Sequence, residues 1–211
     1  MFGAMYFIDP LALQHGFFVV SVRKLTLMNF FTLGLYGFYW THRNWCAYRM
    51  YSLSDISPAL RTCLAPLFLY SLMRKIDSKI SATGRYYCWS PLALRLGMVF
   101  ISVGTVVLLI MVPESLARDN PPIGRWGNAR ASSEVLLLYT ALPVLYFSIW
   151  LCFFNAIQKA VNFCEGDPEG KENSEVSEDE KLLVFLGIMF WVAYAFVLLF
   201  ICFFWSGMRG F

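Results

Sequence analysis

The sequence predicts an all-α integral membrane protein: three full transmembrane helices preceded by two short re-entrant or tilted helical segments, five membrane segments in total. Three observations carry this. Of 211 residues, 58% are hydrophobic and only 15% charged, whereas soluble domains carry roughly 45–50% and about 25%. The apolar residues gather in blocks, and those near 92–112, 135–155 and 182–205 are each long enough to cross a hydrocarbon layer of about 30 Å. Aromatic residues reach 18%, which suits a chain furnishing two interfacial belts with Trp and Tyr.

Residues 1–22 read as a cytoplasmic lead-in. Their start lacks a cation, Asp9-Pro10 interrupts the apolar run and no small-residue cleavage site follows, so a signal peptide is not expected. An extended piece is expected at Phe17–Val22, with His15 a surface histidine.

Residues 23–80 form a domain of two short segments. Arg23 and Lys24 open the first, whose apolar part, Leu25 to Trp40, spans about 24 Å as a helix, short of the hydrocarbon thickness. The second, Pro58 to Met73, contains Arg61 and Pro66 and ends at Arg74-Lys75. Between them lie Arg43 and Arg49 against one acid, Asp55. Two full spans would put this basic linker outside, which the positive-inside tendency disfavours; two segments that dip and return keep it inside. Tyr36, Tyr39, Trp40 and Trp45, with Arg23, Lys24, His42 and Arg43, are then the membrane-interface and interaction residues.

Residues 81–211 hold the three long helices. The loop before them carries Arg74, Lys75, Lys79 and Arg85 against Asp77, the clearest cytoplasmic marker in the chain. Ser90-Pro91 supplies an N-cap and a first-turn proline, and Pro113 is expected to end that helix. An outward loop, 114–133, leads to a helix starting near Ser133-Glu134, spanning Val135 to Phe154 with a kink at Pro143. Asn155, Gln158, Lys159 and Asn162 then share one helical face beyond the bilayer, turned to water or a partner. In the cytoplasmic loop 165–180, eight acids oppose Lys171 alone, so a solvated, disordered loop is expected. Ser177-x-x-Glu180 is a capping box for the last helix, Leu182 to Trp205. The N-terminus is therefore cytoplasmic and the C-terminus outside.

Most chemistry is missing. No nucleophile elbow, zincin, phosphate-loop or dinucleotide motif occurs, and no Asp or Glu lies inside an apolar block, where ion-coupled carriers place them. The six cysteines form no C-x-x-C pair, so neither a disulfide framework nor a zinc site is expected. His42 and Cys46 share a helix face but lack further ligands, and the acidic loop lacks the alternating ligands of a calcium loop. A net charge of +3, spread around apolar blocks, does not point to nucleic acid. Neither metal nor cofactor is expected. A lipid-directed enzyme would need His42 and Arg43 to cluster with Asp55 or Asp77. A channel or carrier would need Ser102, Thr105, Thr140 and Asn155 to converge.

The run Thr32-Leu33-Gly34-Leu35-Tyr36-Gly37-Phe38-Tyr39-Trp40, preceded by Arg23-Lys24-Leu25, resembles a family of bacterial inner-membrane proteins of unknown function. These share a short apolar segment closing in T-x-G-[IL]-Y-x-x-Y-W, then a polar, basic helix. The resemblance covers residues 20–80 and implies a bacterial cytoplasmic membrane, with no assigned activity and no catalytic residues. The expectation is a non-enzymatic protein acting on the bilayer or a protein partner, as an accessory subunit or toxin-neutralising immunity protein. The alternative is a small channel or transporter component.

Overall fold

The computed structural model describes residues 15–119 and 129–207. The lead-in up to residue 14, loop residues 120–128 and Arg209 lie outside the described residues. Every regular element among the described residues is helical: α1 (Val22–Phe31), α2 (Leu35–Ser52), α3 (Pro58–Cys63), α4 (Ala65–Ala82), α5 (Pro91–Asp119), α6 (Ala129–Glu165), a 3₁₀ turn (Lys171–Asn173) and α7 (Glu178–Gly207). Three of them contain stretches long and apolar enough to cross a membrane, Pro91–Leu108, Ala141–Glu165 and Glu180–Val197. Few side chains there are covered by protein, as expected of helices whose surroundings are lipid.

The helix-start signals act as the sequence predicts. Ser57 and Ser90 Oγ accept from Leu60 N (3.4 Å) and Ala93 N (3.2 Å). The capping box closes in both directions: Ser177 N donates to Glu180 Oε2 (2.8 Å), and Glu180 N donates to Ser177 Oγ (3.3 Å). Pro113 does not end α5, which continues to Asp119. A proline removes one backbone hydrogen bond and kinks a helix, and the turns on both sides keep theirs. Likewise α6 starts at Ala129, before Ser133, and carries Pro143 within it.

The stretch 25–40 is not one helix. α1 stops at Phe31, and Leu33 and Gly34 take left-handed φ values of 53° and 86°. Gly34 N then donates to Asn29 O at 2.8 Å, the closing bond of a Schellman-type helix end. Residues 58–73 are also broken, at Leu64 between α3 and α4.

The chain forms two compact units, residues 88–157 and the remainder. Within 88–157, a Cβ on Gly97 of α5 would lie 3.1 Å from the Phe153 ring of α6, and Ser102 Oγ lies 3.3 Å from Tyr146 OH. The pairing 97 with 153 and 102 with 146 makes the two helices antiparallel. Ser102 is thereby engaged with Tyr146 and with the Met98 carbonyl (2.8 Å).

In the other unit α1 lies along the first turns of α7. Lys24 Nζ meets Glu180 Oε2 at 2.8 Å at one end. At the other, Phe30 stacks on Trp191 with centroids 5.0 Å apart, and Gly187 lies against Phe31, whose carbonyl leaves no room for a Cβ. α2 comes back along this pair, bringing Trp40 to Gln158 and Asn44 to Phe18. α4 closes the core with Leu69, Leu72, Met73, Ile76 and Ile80 on its buried face.

Candidate functional site

The site begins with the backbone that precedes α1. Residues 18–21 are neither helix nor strand, with Ser21 extended at their end, so their polar groups have no ladder to satisfy them, and buried ones left unpaired would cost about 1–3 kcal/mol each. Amide side chains pair with them. Phe18 N donates to Asn44 Oδ1 (3.2 Å), Phe18 O accepts from Gln158 Nε2 (3.2 Å), and Val20 O accepts from Asn162 Nδ2 (3.0 Å). Val19 O accepts from Asn173 Nδ2 (3.3 Å). Gln158 also accepts from the Trp40 indole N–H and donates to Asn162 Oδ1 (2.6 Å).

The polar face predicted on α6 thus divides. Gln158 and Asn162 are fully buried and hold the chain's own extended segment, while Lys159 is exposed. Spacing could mark the face but not what covers it.

The acidic loop is also different from the expectation. Glu165, its side chain only 3% exposed, accepts from Lys79 Nζ (2.8 Å) and Gly16 N (3.3 Å). His15 bridges Glu165 (3.4 Å) and Glu172 (3.2 Å) and is no free surface histidine. Gly170, at φ 66°, sits where a Cβ would come within 2.6 Å of the Val20 and Ser21 backbone. Composition counts the acids; it does not show that Glu165 and Glu172 find their partners, Lys79 and His15, in distant parts of the chain.

Between the extended segment, this loop, α2 and the start of α3 lies a groove of about 1330 Å³. Its α2 wall is Tyr39, His42, Arg43, Cys46, Arg49 and Met50, positions that recur at three- and four-residue spacing on one helical face. Arg43 stands over the Phe18 ring (5.1 Å) and the Tyr39 ring (6.0 Å). Cys46 Sγ lies 3.6 Å from His42 Nδ1. Burial pushes the Cys46 thiol up from its ordinary pKa, against the pull of Arg43 and Arg49.

The eight residues singled out as interface candidates separate in the same way. Tyr39, His42 and Arg43 line the groove, and Arg23 is exposed. Trp40 and Trp45 are completely buried and Tyr36 is 5% exposed, so these three belong to the core and not to a headgroup belt. Lys24, 4% exposed, also touches Asn173 Oδ1 (2.7 Å) and Glu175 O (2.6 Å). The helix hydrophobicity pattern could not make this separation, because α2 presents aromatic residues on every side. Asp55 joins His42 and Arg43 in the groove, whereas Asp77 is not part of its lining.

Comparison with known proteins finds no matching family model, curated protein or solved structure.

Proposed function

We propose that this chain is a multi-pass protein of a bacterial cytoplasmic membrane, N-terminus inside and C-terminus outside, that acts by binding and not by catalysis. It serves as an accessory subunit or membrane-embedded partner of another protein, a role that a toxin-neutralising immunity protein would fill. The bacterial setting rests on the motif resemblance at residues 20–80, and the orientation on the basic stretch 74–90, which is not all loop as expected but the last turns of α4 and the residues after it. One observation carries the binding role: Lys79, Glu165, Lys24, Glu180, Gln158 and Asn162, all buried or half-buried, are spent on one another and on the chain's own backbone.

The tagged chain, cross-linked in its native membrane and then purified in mild detergent, should carry one membrane protein at about equal stoichiometry. A lone monodisperse particle that conducts solute in liposomes would replace this reading with the channel alternative.

In this reading the α1–α2 pair is a re-entrant hairpin. What supports it is depth along α7. Gly187 and Trp191 lie seven and eleven residues past Glu180, about 10–16 Å into the apolar stretch, and there they meet Phe31 and Phe30. A broken helix at such depth must satisfy its own backbone. Trp191 Nε1 donates to Phe30 O (3.1 Å), Thr32 Oγ1 donates to Met28 O (2.6 Å), and the same oxygen accepts from Tyr36 N (3.0 Å). Leu33, Leu35 and Phe38 around the turn are exposed, as lipid contact requires. The 58–73 segment is the second shallow element, with Leu60, Leu64 and Leu67 exposed at its break.

A spin label at Leu33→Cys in the reconstituted protein should be reached by oxygen and shielded from a water-soluble nickel quencher. Free access of the nickel reagent from either side would overturn the hairpin.

A further inference from the structure

Arg61 lies in α3, the short helix that the break at Leu64 separates from α4. Its guanidinium carbon stands 4.4 Å from the centre of the Trp45 ring and 5.2 Å from that of the Phe68 ring. Rings from α2 and α4 thus fix a half-buried cation. Aromatic rings attract a guanidinium but offer no lone pair to its N–H donors. Among the described residues, no carboxylate, carbonyl or hydroxyl accepts from the Arg61 side chain. The Trp45 indole N–H, on the ring that Arg61 covers, is buried and also lacks an acceptor. Nor does the local sequence supply an acid: from Ile56 to Ile76 the chain carries Arg61, Arg74 and Lys75 and no Asp or Glu.

We propose that Arg61 holds the phosphate of an anionic phospholipid of the cytoplasmic leaflet. The inference rests on the reading of 58–73 as a shallow membrane element. A guanidinium presents paired N–H groups that match two oxygens of a phosphate, and one positioned by aromatic rings loses little freedom on binding. The surroundings separate a lipid from a free ion. Leu60, Leu64 and Leu67 around the break are exposed, and such surface gains from acyl carbons and gains nothing from inorganic phosphate. A cation among exposed leucines is accommodated at the boundary of the bilayer, with its charge among headgroups and its neighbours among the upper acyl chains.

The test is native mass spectrometry of the full chain in mild detergent, titrated with phosphatidylglycerol or phosphatidylcholine. The wild-type chain should retain phosphatidylglycerol in preference to phosphatidylcholine. Arg61→Gln should lose about tenfold in apparent affinity, the usual worth of a hydrogen bond to a charged group. Arg74→Gln, which removes an equal charge from an exposed position on α4, should retain wild-type affinity. Equal retention of the two lipids, an equal loss from both substitutions, or undiminished binding by Arg61→Gln would overturn the proposal. So would inorganic phosphate or an acidic peptide displacing the lipid at equal concentration. If Arg61→Gln melts below wild type, Arg61→Lys carries the test. It keeps the charge without the paired donors and should lose about threefold, and full affinity would count against the site. A spin label at Leu64→Cys separates the two readings. Shielding from the nickel quencher without any effect of Arg61→Gln sinks the lipid site alone, and free access of the quencher sinks the shallow element and the site with it.

Discussion

Replacing Glu180 with leucine should lower the melting temperature of the detergent-solubilised protein by about 10 °C. The carboxylate does three things at once. It neutralises Lys24 (2.8 Å), accepts from Ser177 N to complete the capping box (2.8 Å), and lies 3.5 Å from Tyr36 OH. Lys24 is 4% exposed, so the substitution leaves a buried ammonium facing only Asn173 Oδ1 and Glu175 O. Breaking a buried pair from one side costs about 3–5 kcal/mol, and loss of a cap about 1 kcal/mol more. For a chain of this size each kcal/mol is about 2–4 °C. The double variant Lys24→Met, Glu180→Leu removes the stranded charge and should recover most of the loss. If Glu180→Leu melts within about 2 °C of wild type, the pair does not hold α1 against α7.

Gln158→Leu should be nearly as damaging for a different reason. It conserves apolar volume but takes away the acceptor of the Trp40 indole N–H and the donor to both Phe18 O and Asn162 Oδ1. At about 1–3 kcal/mol for each of the three groups left without that partner, the loss is about 3–9 kcal/mol, nearer the lower end because the Phe18 carbonyl is only part-buried. It should fall on the extended segment, whose peptide bonds become sensitive to limited proteolysis near residues 15–21. Lys159→Leu, one residue along the same helix and exposed, should change stability by no more than about 0.5 kcal/mol. Equal effects of the two substitutions would mean that the buried amide network does not secure the segment.

These two residues also mark how far the sequence could be read. Glu180 was legible as half of a capping box, because a cap is a local motif spanning four residues. Its pairing with Lys24 was not, since nothing local links positions 156 residues apart. Gln158 and Asn162 were legible as a polar helical face by spacing alone. That they grip Phe18 and Val20, and are not turned to solvent, depends on an extended segment 140 residues away. The break at Leu33 was missed for another reason. A Gly beside aromatic residues is compatible with an apolar helix, and the left-handed turn that ends α1 begins at Leu33, a residue type that does not announce one.

What the sequence determined by itself is the class and the long helices: three apolar stretches sufficient to cross a bilayer, the start signals of the first and last of them at Ser90 and Ser177, and the absence of familiar catalytic motifs. Hydrophobic length and capping are properties of neighbouring residues, and they survive without knowledge of the fold. Tertiary structure alone decided which polar and aromatic residues are buried and which line the groove. Burial turned Trp40, Trp45, Lys24, Gln158 and Glu165 inward, and left Tyr39, His42, Arg43 and Arg49 facing one groove. The physical reason is that the cost of an unpaired polar group depends on what surrounds it, and those surroundings are assembled from segments far apart in the chain.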